Sequence, residues 1–161
     1  MKKILIILVS IISISCSQNN SISVESPNQE IKLNFKLIDG VPTYSVSNKN
    51  KKVINLSKMG LLFNNKIDFS KNLTLLETKS RSFNNSWKPL YGEEEIIINN
   101  YNELMITLSN TVYKMNIFFR LFNDGVAFKY VIPKQNELNS YDIIDEMTEF
   151  NLSSKESALW I

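Results

Sequence analysis

The stretch FFRLFNDGVAFKYVIP, Phe118 to Pro133, decides how the rest of the chain is read. Tyr113, Met115, Ile117, Phe119 and Leu121 occupy every second position on the way in, and Val126, Phe128, Tyr130 and Ile132 do so on the way out. A period of two puts successive side chains on opposite faces of a strand, whereas a helix would need a period near 3.6. Between the two runs, Asn123-Asp124-Gly125 has the residue types that tolerate the positive φ of tight hairpin turns. The expectation is an apolar β-hairpin at the centre of a sheet.

The same alternation recurs outward from it. In EIKLNFKLIDG, Ile31, Leu33, Phe35 and Leu37 share one face and Lys32, Asn34 and Lys36 the other, ending at an Asp39-Gly40 turn. VPTYSVSNKNKKVINL reads as strand, polar turn at Asn48 to Lys52, and strand, with Pro42 at an edge or a strand start. Leu104, Ile106 and Leu108 mark a further strand, and SKMGLLF and NLTLLETKS are short apolar runs. SRSFNNSWKPLYGEEE, Ser80 to Glu95, lacks periodicity and reads as a long loop. YDIIDEMTEF near the end, mixed apolar and acidic, reads as a strand, with a short helix as the alternative. The fold class expected is all-β, an antiparallel β-sandwich.

Hydrophobic residues make up 43% of the 161 and charged ones 21%, a composition that folds. The first residues, MKKILIILVSIISISCSQNN, form a leader: Lys2 and Lys3 precede an apolar run, Ile4 to Ile14, too short to span a bilayer. Residues 1–15 read as a signal peptide, and the placement of Cys16, the only cysteine, resembles a lipoprotein signal in which that residue is acylated. An ordinary signal peptide with an incidental cysteine is the alternative. Residues 16–28 would then be a lipidated cysteine and a polar tether, and residues 29–161 the domain. The expected location is outside the cytoplasm, as a periplasmic or outer-membrane lipoprotein.

Beyond Lys2 and Lys3 the 16 basic and 16 acidic residues balance, and only Arg81 and Arg120 are arginines, which argues against a nucleic-acid partner. Histidine is absent, and Cys16 belongs to the leader. Ser-His-Asp and Cys-His catalysis and histidine-bearing zinc sites therefore fall away. Carboxylate, hydroxyl, lysine and oxygen-ligated metal chemistry remain. Glu93, Glu94 and Glu95 stand at a strand entry, but calcium takes about six to eight oxygens from a shaped loop, and no such spacing exists here. Asp142, Asp145, Glu146 and Glu149 raise a paired-carboxylate reading that spacing alone does not carry. Trp87, with Tyr91 nearby, offers an aromatic face for the apolar side of a sugar ring, with burial against the sandwich as the rival role.

The succession SPNQEIKLNFKLIDGVPTYSVS, SWKPLYGEEEIIINNYNEL, FRLFNDGVAFKYVIP and DEMTEF with ALWI resembles the amino-terminal domain of glycoside hydrolase family 97, bacterial α-glucosidases and α-galactosidases. The resemblance rests on Trp87, Pro89, Gly92, Glu93, Asn99, Tyr101, Asn102, Glu103, Phe119, Arg120, Asn123, Asp124, Gly125, Phe128 and Tyr130. Ile98 departs from it, standing where a basic residue is expected. The resemblance implies a galactose-mutarotase-like sandwich packed on a catalytic (β/α)8 barrel, an α-linked oligosaccharide as ligand, and calcium in the full-length enzyme. It points to Trp87, Glu93 and Asn99 as carbohydrate-binding residues, with the catalytic carboxylates on the barrel and no metal bound by this chain alone. The final SALWI reads as an incomplete sandwich. The chain by itself is therefore expected to be inactive, a scaffold and carbohydrate-binding piece of an exported α-glycosidase. The alternative is a stand-alone β-sandwich lipoprotein that binds glycans or a partner protein without catalysis.

Overall fold

The structure, a computed structural model, describes residues 21–64, 66–93, 95–136, 138 and 140–154. The signal-peptide and Cys16 readings, and the SALWI end, lie outside the described residues. The described residues form ten strands: β1 (Ile22–Glu25), β2 (Ile31–Ile38), β3 (Val41–Asn48), β4 (Lys51–Lys58), β5 (Leu61–Phe63), β6 (Thr74–Trp87), β7 (Ile97–Ser109), β8 (Lys114–Leu121), β9 (Val126–Val131) and β10 (Ile143–Glu146). One antiparallel sheet runs β1-β2-β3-β4, a second runs β6-β7-β8-β9, and β5 pairs with β10.

The two larger sheets pack through the faces that the alternation marks. Leu33, Phe35, Tyr44 and Val46 of the first sheet meet Leu104, Ile106, Leu108, Met115, Ile117, Phe119 and Leu121 of the second in one buried cluster. Phe119 sits at the join, its ring centroid 6.3 Å from those of Phe35, Tyr44 and Phe128. Each such side chain contributes about 1.5–3 kcal/mol when removed from water, so this inter-sheet layer is the main cohesive term. The antiparallel sandwich expected from sequence is the observed architecture.

Turn chemistry closes the first sheet as anticipated. Asp39 and Gly40 have φ of 50° and 76°, and Lys49 and Asn50 have φ of 48° and 64°. Both are two-residue hairpin loops, whose twist matches the strands only with positive φ at both positions.

Five expectations are corrected. The turn from β8 to β9 spans Phe122–Gly125, and none of Asn123, Asp124 or Gly125 has positive φ: a longer loop, closed by Phe122 N–H donating to Gly125 O at 2.9 Å, does not need it. The hairpin is also not wholly central, since β9 is the outer strand of its sheet and its apolar residues are only partly buried. The domain starts before residue 29, because Ile22–Glu25 of the supposed tether pairs with β2, placing Ile22 opposite Phe35 and Val24 opposite Leu33. Ser80–Trp87 is not loop but the second half of β6, in register with Ile97–Leu104 of β7. Pro42, by contrast, is the second residue of β3, near the strand start proposed for it. Of YDIIDEMTEF only Ile143–Glu146 is strand, and the chain after Glu146 runs beside β4 through backbone bonds such as Glu149 N–H to Lys58 O.

Candidate functional site

β8 ends at Leu121, opposite Asn102, while β7 continues back to Ile97 and β6 on to Trp87. Residues 83–87 and 97–101 therefore form a two-stranded arm with no third strand beside it among the described residues, and a loop after Trp87 caps it. Register places Asn85 opposite Asn99 and Trp87 opposite Ile97, and alternation puts these four on one face of the arm. Asn84, Asn100, Ser86 and Ile98 take the other. Trp87 is 52% exposed, and Leu90 and Tyr91 at the tip are 93% and 91% exposed. Lys88 Nζ reaches Glu95 Oε1 at 3.3 Å across the tip.

The root of the arm is built differently. Glu103 is 2% exposed although it lies on the face of β7 turned away from the sandwich core. Arg81 Nε donates to its Oε1 at 2.6 Å and Arg120 Nε to its Oε2 at 2.7 Å, so one carboxylate joins three adjacent strands. Burial pushes the Glu103 carboxyl up, but hydrogen bonds and charge from the two arginines outweigh it and hold it below the usual carboxylate range. Arg81 is correspondingly raised, through its hydrogen bond to and the charge of Glu103. Two rows further out on the same face, the Arg120 guanidinium lies 4.6 Å from the Tyr101 ring centroid, and Tyr101 stacks on Phe83 at 5.4 Å. On the opposite face Asn102 Nδ2 donates to Glu25 O at 2.8 Å, fastening the root to β1.

Of the sequence-derived candidates, Trp87 and Asn99 come together on one face of the arm. Glu93 lies in the exposed tip loop and β7 begins only at Ile97, so the strand entry expected at Glu93 and Glu95 comes later than the sequence suggests. Asn85 was missed, because it is recognisable as a neighbour of Asn99 only once the register is known. The Arg81–Glu103–Arg120 bridge left one trace in the sequence: the chain's two arginines, and an acid at an alternating position of a strand. Asp142 accepts from Asn64 Nδ2 at 2.6 Å and Glu149 from Lys58 N–H at 3.1 Å, so both are engaged in joining segments. Among the described residues no group of three acidic side chains converges on a point that could hold a metal ion.

Residues 24–161 match the family described as glycosyl-hydrolase 97 N-terminal. The chain is 22% identical over 160 residues to the retaining alpha-galactosidase of Bacteroides thetaiotaomicron, covering 98% of this chain and 23% of that protein. Among solved structures, a glycoside hydrolase family 97 enzyme from a Pseudoalteromonas strain, solved with panose and with acarbose, superposes with a TM-score of 0.77 at 32% identity, covering 82% of this chain and 20% of that one. A beta-arabinopyranosidase superposes with a TM-score of 0.76 at 27% identity, covering 81% of this chain and 21% of that one. The chain thus spans about a fifth of the length of the proteins it matches. With the sandwich in place and the match running from within β1 past the last described strand, this chain belongs to the glycoside hydrolase family 97 N-terminal domain family.

Proposed function

We propose that the domain is the scaffold of an exported α-glycosidase acting on α-glucosides or α-galactosides, packed against a catalytic barrel, and that its β6–β7 arm reaches the sugar-binding cleft. The observation that carries this reading is the arm itself. Beyond the Phe83–Tyr101 stack at its root, its Trp87, Leu90, Tyr91, Ile96 and Ile98 join no core among the described residues of this domain, and such surfaces mark contacts with another body. Trp87 supplies a flat face for the C–H side of a pyranose, and Asn99 with Asn85, one alternation away at about 6.6 Å along the strand, supplies amide donors and acceptors for hydroxyls. Glu93, in the tip loop, would accept from a further hydroxyl. The complexes of a related enzyme with panose and acarbose, and the alpha-galactosidase activity of another relative, support an α-linked oligosaccharide as ligand.

The chain supplies no catalytic group in this reading, and hydrolysis belongs to the barrel. Export and membrane attachment through an acylated Cys16 complete it; labelled palmitate should enter the wild-type protein and not Cys16→Ala, and equal labelling would refute the anchor. The central test uses the 161-residue chain with Trp160→Phe, which leaves Trp87 as its one indole. Panose or an α-galactoside should perturb Trp87 fluorescence without release of p-nitrophenol from p-nitrophenyl α-glucoside. A fluorescence signal indifferent to both sugars would sink the sugar-facing arm, and hydrolysis by the chain would sink the scaffold reading.

A further inference from the structure

An isolated two-stranded ribbon is marginal in water, so the direction in which the arm points must be set where it leaves the sheet. The last row in which β7 has a neighbour on both sides is Ser82–Asn102–Leu121, and the row beneath it is Arg81–Glu103–Arg120. In that lower row the central residue is an acid held by both of its oxygens, and both arginines of the chain are committed to it. Arg120 also reaches two rows outward, on the same face, to cover Tyr101, whose ring lies 5.2 Å from Phe122 and 5.4 Å from Phe83. The first residues of the arm are thereby tied to β6 and to the β8–β9 loop.

We propose that Glu103 is a positioning residue: by bridging Arg81 and Arg120 it clamps the root of the β6–β7 arm and sets the direction in which Trp87 and Asn99 are presented. This rests on the reading of the arm as the sugar-facing element, but the clamp can be tested without sugar. The chemistry suits the task. A planar guanidinium donating through Nε resists rotation better than an ammonium would, and two such forks on one buried carboxylate fix the lateral spacing of three strands. The fastening of Asn102 to Glu25, on the other face, does not involve Glu103 and remains when the clamp is cut.

Glu103→Gln keeps the volume but presents an amide NH2 to one of the arginine donors. In the Trp160→Phe chain, amide hydrogen exchange at residues 84–87 and 97–100 should accelerate about five- to thirtyfold, the factor that corresponds to losing one or two kcal/mol of local stability. Trp87 fluorescence anisotropy should fall in the same variant, while protection in β2 and β3 holds. Leu33→Ala, which cuts a fully buried side chain of the other sheet, should lower global stability without this selective loosening. Arg81→Met, removing the more exposed arm of the clamp, should give the same local pattern at smaller size and serves if Glu103→Gln folds poorly. Arm exchange that is unchanged, or that rises no more than exchange in β2 and β3, overturns the proposal. Indifference of Trp87 to panose bears on the proposed function alone and leaves the clamp standing.

Discussion

Gly60→Ala probes the point where the sandwich and its flanking segment cross. Gly60 lies between β4 and β5 with φ of 152°, in a region L side chains rarely adopt. A Cβ there would stand 2.6 Å from Phe69 O and 2.6 Å from Ser70 Cα, both backbone atoms that no rotamer change can withdraw. The same residue donates its N–H to Tyr130 Oη at 3.1 Å and accepts from Met147 N–H at 2.9 Å, so a displaced Gly60 disturbs two further links. Forcing the backbone angle costs about 1–3 kcal/mol and overpacking about another 1–3, against roughly 0.4–1 regained from a stiffer unfolded chain. The expected net loss is about 2–4 kcal/mol, or roughly 5–15 °C in Tm for a chain of this size. Thermal unfolding followed by circular dichroism measures it, with Gly125→Ala as the comparison, since an added Cβ there meets nothing within 4 Å and φ is not positive. A Gly60→Ala protein melting within about 2 °C of wild type would show that the crossing is looser than drawn and refute the reasoning.

Two pH dependences arise from buried groups. The Tyr44 hydroxyl is pushed up to about 12 by burial and then by the charges of Tyr130 and Glu149, and the Tyr130 hydroxyl to about 12 mainly by burial. Their neutral forms are favoured by folding, so the stability they contribute is whole below about pH 10 and disappears as pH climbs through 12. Two tyrosines should ionise only near the end of an alkaline titration, together with loss of β-sheet signal; complete tyrosinate absorbance by about pH 11 in a folded protein would contradict this. At the acid end, Asp68 is pushed up by burial but held below its usual value by the Ser70 hydroxyl and N–H and by Lys71, and Glu103 is held low by its arginines. Both carboxylates add stability that is present above their unfolded values and is lost as pH falls through the folded ones. The urea midpoint should therefore drop between about pH 5 and pH 2, and less so in Asp68→Asn with Glu103→Gln; equal slopes in the two proteins would remove these groups as the cause.

Strands with one face in the core announced themselves. β2, β8 and the inner part of β7 alternate because every second side chain meets the opposite sheet, and the apolar residues they give to the inter-sheet cluster are the ones that periodicity marks. β1 was lost inside a polar tether because its four residues contain only Ile22 and Val24 as apolar signals, too short a run to outweigh the serines and asparagine around it. The position of β9 at the edge of its sheet was invisible for another reason: alternation reports a buried face, and says nothing of whether a strand has one neighbour or two.

The arm escaped notice for a cause that also bears on its role. All fourteen residues of β6 are exposed, so no face of it is selected for burial and no period of two is imposed. Its strand character comes from backbone pairing with β7, which neither Asn84 nor Asn85 advertises. Trp87 is legible as an aromatic residue in a polar stretch, but Asn99 is reachable only through resemblance, because its proximity to Trp87 depends on a register that is fixed far down the ribbon. Trp87, Leu90, Tyr91, Ile96 and Ile98 stand outside the buried cluster that joins the two sheets, and each leaves apolar area in water. Side chains of that kind stabilise a folded body only when something else covers them. A ribbon that lacks internal reason for its aromatic residues, yet is tied at its root by a buried carboxylate shared between two arginines, is organised to present those residues outward in a set direction.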